Sequence, residues 1–481
     1  MGGGATSPLE QELFAVGARL ARAMPSAIRH PLKAVDDKAM DLAAQDAELK
    51  AALFRFVDVV PACRDLDDLA VHLTSFLGEV EEPPRPVAVA VRMGATRAGR
   101  RALGAAAAAG VRHMAHRFIV GEDPERALGE LRGLWERGLA STVDLLGEAT
   151  VTQAEAERYA ERCLAALDTL TQASAGWPPR PRLERDGLGP LARANLSVKV
   201  SALTPLLRPE APERGKRDAA GRLRALLRRA RELGAHLHID MESLDSRDPV
   251  LELVLELLAE EEFRDGPSAG IVLQAYLRDA PATLDRILAW LDDAGARRDV
   301  PLSVRLVKGA YYDHEVVEAR QHGWRTPVFD EKAQSDRTFE QLTRRLVDAA
   351  TAGAPVRLAV ASHNLRSVAH AIAYHRLAGR DDADLELQVL RGLGDPLAEA
   401  LAAEDLRVRV YCPVGDLVAG MAYLVRRLLE NTSNDSFLQE QSRGVPLEEL
   451  LAPPGAAGPD LAGPGTTDAP LSPATSSPAP R

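Results

Sequence analysis

Two adjacent arginines lie on one predicted helical stripe near the C-terminal end of the chain. In the segment YCPVGDLVAGMAYLVRRLLE at 411–430, Tyr423, Arg426, Arg427 and Glu430 fall at positions i, i+3, i+4 and i+7. Guanidinium groups are permanently charged and bind in a bidentate fashion, so this pair suits a carboxylate or a phosphate. Taken alone, the pattern also fits a solvated stripe in which Glu430 pairs with both arginines.

Polar side chains recur where short β-branched runs of the sequence end. They are Asp144, Glu148, Lys199, Asp240, Glu242, Gln274, Tyr276, Arg305, Lys308, Tyr311, Ser362, His363, Asn364, Gln388, Arg391 and Tyr411. Each has a structural explanation by itself: Lys199 fits a buried lysine paired with Asp240, and His363 fits a hydrogen-bonded core histidine. Charges buried on strands are costly unless they are paired or used, so the convergence favours a site. The donors in the set suit a large polar ligand with carbonyls and phosphates, such as a flavin nucleotide.

Other kinds of catalytic site find little support in the sequence. His236 and His238 form an HxH pair, but both precede the end of their predicted strand and no third ligand accompanies them. The sequence therefore predicts no metal site. No GxSxG motif or Cys–His pair is evident, so nucleophilic acyl transfer is not expected.

The elements that must position these residues alternate between short strands and helices. The predicted strands are 140–146, 196–202, 236–241, 270–275, 302–308, 357–362, 386–391 and 407–412. Alternating βα units predict a parallel sheet, and eight units predict a closed (β/α)₈ barrel of the TIM type with its site at the strand C-termini. A doubly wound open sheet is the alternative, but it would normally carry a glycine-rich turn after its first strand, where this chain has GEA at 147–149.

Composition and periodicity divide the chain into three predicted regions. Residues 1–85 form a helical N-terminal region that ends in the linker EEPPRP at 81–86. Residues 86–440 form the barrel. Residues 441–481 form a tail that is rich in Pro, Ala and Gly and is predicted to be disordered, because it cannot bury enough apolar surface.

Charge and cysteine content narrow the class of protein and its compartment. The formal net charge of the 481 residues is −11, which argues against a nucleic-acid partner. Cys63, Cys163 and Cys412 are far apart and form no CxxC pair, which fits a reducing cytoplasm. No signal peptide and no run of 18 apolar residues is present, so we expect a cytoplasmic protein that does not span a membrane.

Several segments in fixed order resemble one known family. VRLVKGAYYDHE at 304–315, ASHN at 361–364, LQVLRGLGD at 387–395 and the segment 411–437 resemble proline dehydrogenase. The similarity is greatest to the proline dehydrogenase half of the bifunctional proline utilization A flavoenzymes. Further similar segments are LLGEA at 145–149, LSVKVSAL at 196–203, HIDMES at 238–243 and, before the barrel, RHPLKAVDDKAMD at 29–41.

The resemblance implies both a fold and a reaction. The family has a distorted (β/α)₈ barrel that holds FAD without a covalent bond over the strand ends. It oxidises L-proline to Δ1-pyrroline-5-carboxylate by hydride transfer from substrate C5 to flavin N5, the first step of proline catabolism to glutamate. The electrons pass to a membrane quinone, which implies peripheral contact with the inner face of the cytoplasmic membrane.

The resemblance also assigns residues to the cofactor. Arg305 would face flavin N5 and Gln274 the flavin ring, and Tyr312 stands where relatives often carry a tryptophan beside the adenine. The other implied cofactor residues are Asp240, Lys308, Gly309, Ala310, Ser362, His363, Gln388, Leu390 and Glu430.

The substrate would bind between charged and aromatic residues. Arg426, Arg427 and Lys199 would bind the proline carboxylate. Tyr311, Tyr411 and Tyr423 would surround the ring, and Glu148 would pair with Arg426 as a gate. The implied catalytic set is Lys199, Asp240, Arg305 and Tyr411, with Asp240 positioning Lys199. No residue stands out as the base for the substrate amine.

Alternative functions are also compatible with the sequence. An FAD-binding barrel with a regulatory role would not need the carboxylate-binding residues, and a hydroxyproline dehydrogenase would need more space than Tyr411 leaves. The chain also resembles one half of a bifunctional enzyme, although no aldehyde dehydrogenase segment follows residue 437. The oligomeric state is open as well.

Overall fold

The computed structural model describes residues 7–24, 46–147, 150–416, 420 and 444–455. Several predicted features lie outside these residues. They are Glu148, Tyr423, Arg426, Arg427, Glu430, the segment 29–41 and most of the tail 441–481.

Eight parallel strands close into a barrel, as the sequence pattern predicts. The strands are β1 Leu139–Leu145, β2 Asn195–Lys199, β3 His236–Asp240, β4 Ser268–Gln274, β5 Leu302–Val307, β6 Val356–Ala361, β7 Leu385–Leu390 and β8 Arg407–Val414. The barrel closes where β1 pairs with β8, from Leu139 beside Val408 to Leu145 beside Val414. Each predicted strand overlaps an observed one, and the open-sheet alternative is excluded.

Helices surround the barrel and precede it. Their bounds are α1 Pro8–Ala23, α2 Ala47–Val59, α3 Leu66–Leu77, α4 Arg85–Met93, α5 Arg97–Phe118, α6 Pro124–Glu136, α7 Gln153–Ala175, α8 Pro212–Leu233, α9 Leu244–Leu258, α10 Ala280–Asp292, α11 Tyr312–His322, α12 Lys332–Thr351, α13 Leu365–Leu377 and α14 Asp395–Ala403. Within the described ranges, no helix combines the length and the apolar character that a membrane span requires.

The strands are apolar on one face and polar on the other. On β8, Val408, Val410 and Cys412 belong to the main apolar core between the strands and the helices. Of the alternate residues, Arg409 instead binds Glu386 of the neighbouring β7, and Tyr411 binds Asp240 of β3 across the barrel interior. Because side chains alternate along a strand, the same segment supplies both the core and the barrel interior.

The N-terminal helices pack in two different places. Leu13, Val16 and Leu20 of α1 join the main barrel core. The helices α2 to α5 share a smaller core of their own, which includes Phe56, Leu73 and Leu103. The predicted division at residue 85 remains a prediction, although the helices on its two sides contribute to this one core.

Candidate active site

The C-terminal ends of five strands bring together the central charged residues. Asp144 lies on β1, Lys199 ends β2, Asp240 ends β3, Arg305 lies on β5 and Tyr411 lies on β8. Parallel strands place these ends at the same mouth of the barrel, which is where barrel enzymes carry their sites.

Lys199 forms its close ion pair with Asp144. Its Nζ lies 2.5 Å from Asp144 Oδ1 and 3.7 Å from Asp240 Oδ2. Burial opposes the charge on Lys199, but the carboxylates of Asp144 and Asp240 outweigh it and raise the pKa of the ammonium above its ordinary value. Lys199 is therefore a permanent cation. The expected ion pair of Lys199 with Asp240 is present, and Asp144 is a second and nearer partner that the sequence analysis did not assign.

Asp240 is the acceptor at the centre of the site. Its Oδ1 accepts from Arg305 Nη1 at 2.7 Å and from Ser197 Oγ at 2.8 Å. Its Oδ2 accepts from the Tyr411 hydroxyl at 2.7 Å. Burial and then the charges of Asp144 and Asp240 raise the pKa of Tyr411, so its hydroxyl stays protonated and donates.

Arg305 has one donor left over. Its Nε donates to Gln388 Oε1 at 2.7 Å and its Nη1 is used by Asp240. Its Nη2 has no hydrogen-bond partner among the described residues, although the side chain is only 5% exposed. A buried guanidinium nitrogen without an acceptor is costly, so this atom marks a place where a ligand would supply one.

Glu386 fixes the orientation of the Gln388 side chain. Its Nε2 donates to Glu386 Oε1 at 2.6 Å, and Glu386 accepts from Arg409 through both carboxylate oxygens at 2.9 and 3.0 Å. Burial would raise the pKa of Glu386, but Arg409 and Arg407 outweigh it and lower the pKa below its ordinary value. The ionised carboxylate accepts only, so the amide oxygen of Gln388 must face Arg305.

Gln274 carries a second buried atom without a partner. Its Nε2 donates to the backbone carbonyl of Glu242 at 2.9 Å. Its Oε1 has no partner in the part of the chain that the structure describes. Gln274 therefore presents an acceptor and Arg305 presents a donor at the same end of the barrel.

The turn after β5 depends on a glycine. Gly309 has φ +139°, and a Cβ there would overlap the ring of Tyr276. A residue with a side chain would therefore be strained and obstructed. In the same turn, Ala310 is exposed, Tyr311 is half-buried and Tyr312 is 42% exposed.

Lys308 and the residues that follow β6 and β7 complete the rim. Lys308 pairs with Asp336 of α12. His363 Nε2 accepts from the backbone amide of Leu390 at 2.9 Å, so the ring proton is on Nδ1. Ser362 Oγ accepts from the amide of Asn364 at 3.1 Å. This loop is held by local bonds at the start of α13, where Asn364 caps the helix.

Two family models match most of the chain. Residues 127–440 match the model described as proline dehydrogenase, and residues 10–118 match the proline utilization A N-terminal domain. The chain belongs to the proline dehydrogenase family.

Curated members of the family are similar to this chain over most of its length. It is 32% identical over 354 residues to the bifunctional protein PutA of Salmonella typhimurium, covering 72% of this chain and 25% of that protein. It is 27% identical over 336 residues to proline dehydrogenase 1 of Bacillus subtilis strain 168, covering 69% of this chain and 92% of that protein. The chain thus spans about a quarter of its bifunctional relatives.

Solved structures of the proline dehydrogenase family share the fold. The proline utilization A of Bdellovibrio bacteriovorus inactivated by N-propargylglycine superposes with a TM-score of 0.83 at 33% identity, covering 92% of this chain and 44% of that one. A proline utilization A with proline bound in remote sites superposes with a TM-score of 0.70 at 26% identity, covering 94% and 46%.

Sequence reasoning about this proline dehydrogenase family member missed some of the residues that form the site. Ser197 and Glu386 received no role, and Asp144 was noted at a strand end without a partner. Their signal is the two-residue spacing that puts Ser197 on the same strand face as Lys199, and Glu386 on the same face as Gln388. The roles of the other candidate residues remain predictions, including those outside the described ranges.

The HxH pair of the barrel interior is neutral. His236 Nε2 lies 3.2 Å from His238 Nδ1, and His238 Nε2 lies 3.1 Å from the carbonyl oxygen of Ile271. Burial, with the charge of Arg409, lowers the pKa of His236 to about 3. In the described part of the chain, no group of three or more His, Cys, Asp and Glu side chains is placed to hold a metal ion.

Proposed function

We propose that the chain is an FAD-dependent proline dehydrogenase that oxidises L-proline to Δ1-pyrroline-5-carboxylate at the mouth of the barrel. The observation that carries the proposal is the buried Nη2 of Arg305, which has no partner among described residues and stands beside Asp240, Tyr411 and Gln388. The names of the curated relatives support proline as the substrate.

The donors and acceptors at the barrel mouth fit a flavin. Arg305 Nη2 and Gln274 Oε1 offer a donor and an acceptor to a ring that carries both kinds of atom. Gly309 allows a tight backbone turn after β5. Lys308 supplies a cation for the phosphate groups of the cofactor. Residues proposed to complete the cofactor site are Asp240, Ala310, Tyr312, Ser362, His363, Gln388, Leu390 and Glu430. When bound, the flavin supplies the acceptor for the hydride that leaves proline C5.

The protein binds and orients the substrate. The raised pKa of Lys199 keeps it cationic, so it attracts the proline carboxylate and does not act as a base. The proposed carboxylate site also includes Arg426 and Arg427, and the proposed ring contacts include Tyr311, Tyr411 and Tyr423. Glu148 is proposed to pair with Arg426. The hydrogen bonds of Asp240 hold Arg305 and Tyr411 in fixed positions. Because these groups are already in place, they can orient the reacting groups without any rearrangement of charge in the protein.

The electron acceptor proposed for the second half-reaction is a membrane quinone, as the resemblance implies.

The proposed division of the chain is a helical N-terminal region at 1–85, the barrel at 86–440 and a tail at 441–481.

Anaerobic titration with L-proline tests the cofactor, the substrate and the reaction together. Purified protein should be yellow, and its flavin absorbance should bleach as proline is added. Protein that stays colourless after reconstitution with FAD would exclude the proposal. Protein that binds FAD without bleaching would favour a regulatory role.

Arg427→Met tests the carboxylate site separately. Removing one partner of a buried charged hydrogen bond costs about 2–5 kcal/mol, so KM for proline should rise strongly while FAD content is unchanged. An unchanged KM would assign the two arginines a structural role.

A further inference from the structure

A small polar cavity lies inside the barrel at the end opposite the candidate active site. Its lining includes six residues that are each first or second in their strand: Asn195, His236, Ser268, Arg357, Glu386 and Arg407. Its volume is about 20 Å³, which is room for a single water molecule or a monatomic ion. The cavity is therefore separate from the strand C-termini that carry Asp240 and Arg305.

Two arginines beside this cavity each have a carboxylate of their own. Arg357 binds both oxygens of Asp186, through Nε at 2.8 Å and Nη2 at 3.0 Å. Arg409 binds both oxygens of Glu386, through Nε at 2.9 Å and Nη2 at 3.0 Å. These are bidentate pairs, in which one positive charge is balanced by one negative charge.

Arg407 is a third arginine between the two pairs. Its Nη1 lies 3.1 Å from the Asp186 oxygen that Arg357 also binds, and its Nε lies 3.8 Å from Glu386 Oε2. Among the described residues, no other carboxylate is within ion-pair distance of Arg407. Its Nε has no hydrogen-bond partner in those same ranges, although the side chain is only 1% exposed.

The other polar groups at the cavity do not balance this charge. Burial and then the charge of Arg305 lower the pKa of His238 well below its ordinary value, and His236 is neutral as well. The cavity is thus surrounded by three arginines and two carboxylates, an excess of one positive charge. A buried charge without a counter-ion is costly, so this excess favours the binding of an anion.

We propose that the cavity binds one small monovalent inorganic anion, such as chloride, against Arg407 Nε. One negative charge balances the excess, and the volume is too small for a carboxylate, a phosphate or a sulfate. The hydroxyl of Ser303 lines the same cavity and can donate a second hydrogen bond. The anion stabilises the base of the barrel and takes no part in the reaction, so the proposal is independent of the proposed function.

Thermal unfolding of the full chain tests the proposal in solution. The probes are sodium chloride and sodium gluconate at equal ionic strength, because gluconate has the same charge but is too large for the cavity. Chloride should raise Tm in a saturable manner, by about 2 °C or more relative to gluconate, since only the folded barrel forms the site. Equal Tm values in the two salts would overturn the proposal.

Arg407→Gln tests whether this arginine carries the effect. The substitution leaves each carboxylate with its own bidentate arginine, so the variant should fold. Its Tm should no longer differ between chloride and gluconate. A chloride response equal to that of the wild-type chain would overturn the proposal.

Arg298→Gln is the matched control for the loss of a buried arginine. Arg298 donates to the carbonyl oxygens of Leu258, Phe263 and Pro267 and does not line the cavity. The variant should have a lower Tm and keep the wild-type difference between the two salts. Equal loss of the chloride response in the Arg407 and Arg298 variants would overturn the proposal.

Bromide locates the site without any substitution. It has the charge of chloride and scatters X-rays anomalously, so crystals of the wild-type chain grown with bromide should show an anomalous peak beside Arg407 Nε. The absence of a peak in the cavity would overturn the proposal. A peak in the cavity without a chloride effect on Tm would mean an adventitious ion only, which would overturn it as well.

Discussion

Arg305 and Gln388 hold each other in a single orientation. Arg305 Nε donates to Gln388 Oε1 at 2.7 Å, and Gln388 Nε2 donates to Glu386 at 2.6 Å. Because Glu386 is ionised, Gln388 cannot turn its amide without losing both bonds. The arrangement leaves Nη2 as the one guanidinium nitrogen of Arg305 without a partner among described residues.

Gln388→Met should therefore lower activity more than stability. The substitution preserves volume but removes the acceptor of Arg305 Nε, and an unsatisfied buried donor costs about 1–3 kcal/mol. We expect kcat/KM for proline to fall about tenfold to a hundredfold, with weaker FAD binding measured by fluorescence titration.

Glu386→Gln is the comparison variant. It leaves Arg409 without its counter-ion and should cost about 3–5 kcal/mol of unfolding free energy. If Gln388→Met has the kinetics and the FAD affinity of the wild-type protein, Gln388 does not orient Arg305 for the reaction.

Lys199→Met should raise KM for proline at least about tenfold, because it removes a permanent cation from the barrel mouth. It also leaves Asp144 buried without its cation, so stability should fall too. Adding Asp144→Asn should restore part of the stability but not KM, which steady-state kinetics and thermal unfolding together can separate.

Lys216→Met is the matched control for Lys199. Lys216 is also buried and pairs with Glu252 at 3.3 Å and Glu256 at 2.9 Å, but it lies on α8 outside the barrel. The substitution Lys216→Met should change the free energy of unfolding and leave KM for proline unchanged. Equal KM effects in the two lysine variants would show that Lys199 acts through the fold alone.

Tyr411 combines two roles that two substitutions can separate. Tyr411→Phe keeps the ring but loses the 2.7 Å bond to Asp240, so kcat should fall by about tenfold while proline stays preferred over hydroxyproline. Tyr411→Ser opens space at the ring and should raise the hydroxyproline-to-proline ratio of kcat/KM by about tenfold or more. If Tyr411→Ser leaves the ratio unchanged, another residue sets the specificity.

His370 should make the fold sensitive to acid. Its side chain is 1% exposed, its ring stacks on Tyr374, and neither ring nitrogen has a hydrogen-bond partner in the described ranges. Burial, with the charges of Arg344 and Arg366, lowers the pKa of His370 from 6.5 to about 3. The unfolded chain therefore binds a proton that the folded chain does not, and stability falls as pH drops from 6.5 towards 3.

His370→Phe should remove this sensitivity. Between pH 7 and pH 5, the wild-type chain should lose about 2 kcal/mol of unfolding free energy at this position, and the variant should retain it. Denaturant unfolding at both pH values measures the difference. An identical pH dependence in the two proteins would mean that His370 is protonated in the folded state.

The sequence predicted the barrel because each strand leaves a local signal. β-branched residues alternate with polar ones over six or so positions, as in Arg407 to Cys412, and each run is followed by helical periodicity. Eight repeats of that unit permit few architectures, so the fold did not depend on knowing any single contact.

The pairing of charges did not follow from the sequence in the same way. Lys199 was expected to pair with Asp240, and it does so at 3.7 Å, but its closer partner is Asp144 at 2.5 Å. The strand β2 lies between β1 and β3, with Asp144 in register with Ser197 and Asp240 in register with Lys199. Strand order placed Asp144 within reach, and the sequence position of Asp144 alone carries no information about distance.

The strand count, the residue types at the strand ends and the family resemblance all follow from the amino-acid sequence. The sharing of Asp240 by Arg305 and Tyr411, and the fixing of Gln388 by Glu386, became evident only in the folded barrel. The difference lies in the sequence separation of the residues that interact. Secondary-structure patterns depend on residues a few positions apart, whereas a buried hydrogen bond joins strands that are far apart in sequence. Such a bond therefore depends on the closed register of the barrel.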